Sequence, residues 1–238
     1  MRDSTSYIIR FVLIMTVLVA LVLASMQTFL EPIHSMNEAV YQQRSVLLSV
    51  ADLQDTPVNA MTVQEVQDVF DNQMEELVLD PEGNVIEGVA ASEINLEEEL
   101  KKPKNEQRYP LYIFEKDGEK YYIVSVRGQG LWDAIWASIA LESDLKTIKG
   151  ASFDHAGETP GLGAEIKDNP AFPAQFIGKE IYDENGVFTA VRVIKGMIRE
   201  PAHEVDGISG STITSRGVQD MLYKGIQNYE PYFDKIRK

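Results

Sequence analysis

Hydrophobic residues along this chain change their spacing twice. From Phe11 to Leu30 the run FVLIMTVLVALVLASMQTFL holds no charged residue, and as a helix it is long enough to cross a bilayer. Arg2 and Arg10 precede the run while Glu31 and Glu38 follow it. The positive-inside rule then predicts one membrane anchor with a cytoplasmic N-terminus and an exterior main domain. The run is long for a signal-peptide core and no Ala-x-Ala site follows it, so it reads as a retained anchor.

Beyond Pro32 the spacing becomes helical and sparser. Met36, Val40, Val46, Leu47 and Val50 predict a stalk continuing the anchor toward Leu53. Thr62-Val63-Gln64-Glu65 reads as a capping box that starts a helix through Val66, Val69 and Phe70. Glu76 to Asp80 and Asn84 to Glu87, on either side of Pro81-Glu82-Gly83, predict a short hairpin. The charged stretch from Glu97 to Lys104 reads as a solvated surface connection, dividing the chain into an anchor (1–30), an exterior stalk and hairpin region (31–104) and a C-terminal domain (105–238).

In that last part the period drops to two. Tyr109 to Phe114 and Tyr121 to Val126 alternate about Lys116-Asp117-Gly118, a hairpin signal. Ile135 to Leu141 and Thr147 to Phe153 make a second pair about Glu142-Ser143-Asp144, and Val187 to Ile194 reads as a further strand. Helix is expected for Ala171 to Phe176 and from Thr214 to about Tyr229, where Val218, Met221, Leu222, Ile226 and Tyr229 share one face. The fold class is α+β: a largely antiparallel sheet, helices on one side, loops gathered at one end.

Composition narrows the chemistry. With 238 residues, 44% hydrophobic, the chain can bury one good-sized core or two small ones. A net charge of −15 argues against a nucleic-acid partner. The absence of cysteine excludes disulfides, iron–sulfur clusters and thiolate zinc sites. His34, His155 and His203 show no ligand spacing, so no metal is assigned. Any redox chemistry must use a bound organic cofactor.

One segment has the form of an anion seat. Asp206-Gly207-Ile208-Ser209-Gly210-Ser211-Thr212-Ile213-Thr214-Ser215 opens directly into the C-terminal helix. Thr212 sits at or just before the helix start, where free N–H groups and the macrodipole favour a phosphate. An ordinary N-cap with spare hydroxyls has the same composition. Asp206 would cap the loop or serve as a recognition residue. Upstream, Gly157-Glu158-Thr159-Pro160-Gly161-Leu162-Gly163 is a tight Gly/Pro-bounded loop, preceded by Gly130-Leu131-Trp132.

These three segments, in this order, resemble the FMN-binding domain of the C subunit of the sodium-translocating NADH:quinone oxidoreductases, and less closely the G subunit of the related Rnf complex. In the former family an Asp-x-x-Ser/Thr-Gly-Ala-Thr segment carries FMN as a phosphoester of its last threonine, which corresponds to Thr212. Ser211 stands where the family usually has alanine, placing a second hydroxyl beside the acceptor. Ser209, Thr214 and Ser215 are further hydroxyls, and only the family pattern selects Thr212 among them. The ending Tyr229-Glu230-Pro231-Tyr232-Phe233 also favours the first of the two families.

The resemblance implies an electron-carrying subunit of a sodium-pumping complex in a bacterial inner membrane. It further implies neighbouring redox subunits and a separate flavin transferase on the exterior side. Backbone amides from Ser209 to Thr214, Gly210, Ser211 and Ile213 included, would seat the phosphate. Glu158 and Thr159 would address the flavin ring edge, Gly161 would shape the loop and Leu162 would cover a ring face. Trp132 and Trp136 are stacking candidates that could equally be core, and His155 is a possible donor. A single span with no intramembrane acid cannot move sodium alone, and no Gly-x-Gly-x-x-Gly turn marks an NADH site. A membrane-tethered scaffold without cofactor is the competing class of function.

Overall fold

The computed structural model describes residues 5–237. Arg2 and the side chains of His34 and Met36 lie outside the described residues. The chain forms two units, Met1–Tyr41 and Gln42–Lys238.

The first unit is a single helix, the leading part of α1 (Thr5–Leu48). An 18-residue stretch within Thr5–Glu31 reaches a mean hydropathy of 2.7, and the segment exposes its apolar side chains. Thr16, Ser25 and Thr28 donate their hydroxyls to the carbonyls of Val12, Leu21 and Ala24, at 2.8, 2.7 and 3.0 Å. These three hydroxyls are therefore satisfied within the helix, as a bilayer core requires.

The second unit is built on a five-stranded antiparallel sheet in sequence order: β1 (Met74–Leu79), β2 (Tyr109–Lys116), β3 (Glu119–Gln129), β4 (Ala134–Leu141) and β5 (Ile148–His155). Alternation along the strands sends Leu111, Val124, Val126, Ala137 and Ile139 to one face and Tyr112, Phe114, Ile123 and Ala140 to the other. Both faces are covered, which corrects the expectation of helices on one side. The first face carries α4 (Glu165–Asp168), α5 (Ala171–Ala174), α6 (Thr212–Gln227) and α7 (Glu230–Ile236); the second is covered by the end of α1 and by α2 (Val63–Gln73). The capping box is present: Thr62 Oγ1 accepts from Glu65 N at 3.3 Å, and Thr62 N donates to Glu65 Oε2 at 2.6 Å.

Several local readings change. The hairpin at Pro81-Glu82-Gly83 is a turn closed by one bridge, Leu79 to Val85, because β1 pairs instead with the longer, more apolar β2 in register Met74–Phe114. The strand read over Val187 to Ile194 shrinks to β6 (Arg192–Ile194), since Ala190 at φ +53° interrupts extended backbone. Its partner is the unforeseen parallel strand β7 (Glu204–Asp206). Helix α5 is shorter than expected, and α6 ends at Gln227, leaving Tyr229 to start α7. The stretch Glu97 to Lys104 contains most of α3 (Leu96–Lys101), whose Glu99 is buried rather than solvated.

The packing of α6 on β3 positions the candidate site. A Cβ on Gly217 would lie 2.3 Å from the Gln129 carbonyl oxygen, so this helix position accepts glycine alone. Below it Val218, Met221, Leu222 and Ile226 are buried, and the Tyr229 hydroxyl reaches the Ser125 and Pro110 carbonyls at 2.8 and 2.9 Å.

Candidate functional site

The C-terminal ends of β3, β5 and β7 deliver three loops to one end of the domain, and Glu158 joins them. Its Oε1 accepts from Trp132 N, in the β3–β4 loop, at 2.9 Å, and its Oε2 accepts from Thr214 Oγ1, on the first turn of α6, at 2.6 Å. Thr214 Oγ1 in turn accepts from Ser211 Oγ at 2.9 Å. Glu158, Thr214 and Ser211 are all buried. A Cβ on Gly163 would stand 2.0 Å from Glu158 Oε2, and one on Gly130 would stand 2.5 Å from Oε1. The glycines at both ends of the expected site thus make room for this carboxylate. Glu158 N donates to His155 Nδ1 at 3.2 Å, which fixes the root of the loop.

The same network removes the cap from helix α6. Ser211 is the N-cap by position, at φ −122° and ψ 58°, yet its hydroxyl makes no bond to the first-turn amides because it is directed to Thr214. Asp206 does not cap the loop either. Its backbone N–H donates to Gln175 Oε1 at 2.8 Å and its carbonyl accepts from Gln175 Nε2 at 3.3 Å, while the carboxylate makes no capping bond among the described residues. The amides of Thr212, Ile213 and Thr214 are left for an external acceptor. An ordinary hydroxyl cap was the competing reading of this segment, and the geometry does not form one.

Burial also sorts the five hydroxyls that sequence could not. Ser211, Thr214 and Ser215 are buried and mutually bonded, with Ser215 Oγ accepting from Ile208 N at 3.0 Å and donating to Ser211 O at 2.9 Å. Ser209 and Thr212 are exposed. Of these, only Thr212 lies on the first turn of the helix.

The three loops and the first turn of α6 also carry exposed apolar side chains. Leu131, Trp132, Leu162 and Ile213 are all exposed, Trp132 at 68%. Trp132 is therefore a loop residue and not core; its Nε1 donates to Thr159 Oγ1 at 3.1 Å. Leu162 lies over Gly210, which turns at φ +79° and whose Cβ would be 3.0 Å from Leu162 Cδ2. Trp136, the other stacking candidate, is occupied on β4 by the Arg127 guanidinium, 5.4 Å from its ring centroid. Beside the loops a cleft of about 460 Å³ is lined by Gly161, Glu165, Phe172, Gln175, Asp206 and Ser209 among others. Its wall is stiffened by Phe172 against Phe153 and Phe176, with ring centroids 5.3 and 5.5 Å apart. Sequence reading missed Glu165, Phe172 and Gln175, because nothing in their spacing links them to a loop more than thirty residues on.

The loop leading into β7 is held by Glu204. Its carboxylate accepts from Arg199 N at 2.6 Å, Glu200 N at 3.0 Å and Arg192 Nη2 at 2.7 Å. The Glu200 and Arg199 amides, aided by Arg192, keep this carboxyl below its usual range.

An apolar rim, uncapped amides and an exposed threonine on one helix turn fit a phosphate-bearing planar ligand. Among the described residues, no cluster of three or more His, Asp and Glu is arranged to hold a metal. The FMN-binding domain family matches residues 130–227, which span all three loops. The C subunit of the Na(+)-translocating NADH-quinone reductase of Pseudomonas aeruginosa is 30% identical over 257 residues, covering 100% of this chain and 98% of its own length. That of Vibrio anguillarum is 43% identical over 120 residues, covering 48% of this chain and 46% of its own. Among solved structures, the equivalent protein from Parabacteroides distasonis superimposes with a TM-score of 0.74 at 34% identity, covering 85% of this chain and 96% of that one. NqrC of Shewanella oneidensis gives 0.71 at 26% identity, covering 84% and 98%.

Proposed function

This chain belongs to the NqrC family, the C subunits of the Na(+)-translocating NADH-quinone reductases, and on that premise we propose that it carries FMN as a phosphoester of Thr212. It is one subunit of a multi-subunit membrane oxidoreductase, it is anchored by an N-terminal helix, and its FMN-binding domain makes it an electron carrier within that complex. Bound FMN supplies reversible electron transfer.

The single observation that supports the Thr212 assignment is its placement: an exposed hydroxyl on a helix turn whose amides are uncapped. Those amides and the macrodipole offset the charge of a phosphodiester. Leu131, Trp132, Leu162 and Ile213 present the apolar surface that a flat ring would cover. Glu158 acts by position, locking the Trp132 loop and the α6 turn to its own loop. Thr159, which accepts from the Trp132 indole, orients that ring. Ser211 uses its additional hydroxyl inside the network, so it does not compete for the flavin.

The Thr212 hydroxyl bonds to no described residue, so no base among them is hydrogen-bonded to it to activate it. Attachment therefore falls to a separate flavin transferase. Arg10 before the span and Glu31 and Glu38 after it favour an exterior site, the periplasm of a bacterial inner membrane.

Mass spectrometry of the Thr212 peptide from the full chain, isolated from a host with the transferase, should show the added FMN phosphoryl mass. Thr212→Val should abolish flavin fluorescence on a denaturing gel while circular dichroism stays native, and Ser209→Ala should keep the fluorescence. A fluorescent Thr212→Val band would overturn the assignment.

A further inference from the structure

We propose that Arg216 is the cation that holds the FMN phosphate at Thr212; the inference rests on the Thr212 attachment above and adds a residue to that site. Thr212 and Arg216 are four apart on α6, so they share a helical face. Long side chains on a helix lean toward its N-terminus, so a guanidinium at 216 covers the turn that begins at 212. Both residues are exposed.

Arg216 is free where most other arginines of the domain are engaged. Arg44 binds the Val58 and Met61 carbonyls, Arg108 binds Glu99, Arg127 binds Glu97 and Arg192 binds Glu200 and Glu204. Arg237 stacks on Tyr182, with its guanidinium carbon 4.0 Å from the ring centroid. Arg216 has no hydrogen bond, ion pair or ring contact among the described residues. Its nearest helical competitor for a salt bridge, Asp220, is turned to Lys224 at 3.5 Å.

Charge balance gives that free guanidinium a task. The site already holds the buried Glu158 carboxylate behind the first turn of α6, and Asp206 and Glu165 line the adjoining cleft. A phosphodiester added at Thr212 puts one more negative charge among three carboxylates. Helix amides offset part of this, and a planar guanidinium matched to two phosphate oxygens offsets much of the remainder.

The test uses the full chain with flavin attached, its modification checked by mass spectrometry, and the 31P resonance of the phosphodiester as readout. Arg216→Gln should shift that resonance and lower the fluorescence anisotropy of the flavin. Arg216→Lys should restore part of the shift, as a point charge without the fork. Lys224→Gln, about 18 Å from Thr212 along the helix, should leave it in place. Raising salt should move the wild-type resonance toward that of Arg216→Gln, since an exposed ion pair is screened. A resonance and anisotropy identical in wild type and Arg216→Gln, on protein shown to carry FMN at Thr212, would refute the clamp alone. An unmodified Thr212 peptide would remove both the clamp and the attachment on which it rests.

Discussion

Glu99 and Glu158 are both buried carboxylates, at 3% and 5% exposure, and their surroundings are opposite. Glu99, on α3 beside the sheet, is met by two cations. Arg108 donates from Nη2 at 2.7 Å, from Nε at 3.1 Å and from its backbone N at 3.1 Å, and Lys102 adds Nζ at 2.7 Å. Burial alone would raise the Glu99 carboxyl, but the Arg108 and Lys102 bonds outweigh it and hold the group below the usual range. Glu158, at the loop end, accepts from neutral donors, one amide and one hydroxyl. The first arrangement stabilises the fold. The second fixes three loops in place with much less electrostatic compensation, a pattern expected where position matters more than stability.

Substitutions can separate these roles. The largest effect is expected from Gly163→Ala, whose Cβ would collide with both Glu158 Oε2 and Thr214 Oγ1. A loss of about 3 kcal/mol in denaturant unfolding, with loss of flavin attachment, is the anticipated result. Attachment at wild-type level would show that the loop can yield and that Glu158 does not set its path. Thr214→Val removes the donor to Glu158 and should cost about 2 kcal/mol, with a drop in flavin incorporation that exceeds the change in fold stability.

Arg108→Ala should cost about 1.5 kcal/mol, reduced from the range for fully buried pairs because the guanidinium is partly exposed and Lys102 remains. Flavin content should be unchanged. If it fell in proportion to stability, the contrast between the two carboxylates would dissolve.

Acid gives the smallest effect. Because the folded-state pKa of Glu99 is depressed, its contribution is complete above its unfolded value, about 4.3, and is lost as pH falls further through the folded value. Thermal melts of wild type and Glu99→Gln should therefore converge below about pH 4. A gap that stays constant to about pH 3 would show that the group is not held ionised by its partners.

The elements with strong, local periodicity were legible in advance. The anchor is one uninterrupted apolar run, the capping box at Thr62 is formed by neighbours, and the four strands from Tyr109 to Phe153 alternate about short turns. Helix α6 was legible from its buried stripe, although it starts at Thr212, two residues before the expected Thr214. The weak strands were not. β6 and β7 are three residues each and exist only because they pair with each other and lie against α6, a relation that no window of sequence contains.

Sequence by itself determined that there is one membrane-length helix, that the part beyond it is α+β, that thiol chemistry is absent, and that a glycine- and hydroxyl-rich segment precedes a helix. These follow from composition and from spacing over a few residues, where the chain is its own context. Only tertiary structure decided which hydroxyl is presented, why Ser211 leaves the helix uncapped, and what Glu158 does. The role of Glu158 rests on bonds between residues 26 and 56 positions apart, from Trp132 to Glu158 and from Glu158 to Thr214, and the Thr214 so held is the one that takes the Ser211 hydroxyl from the cap. Burial and partner choice at that range are set by how the sheet brings its loops together, and the local pattern is the same whether or not they meet.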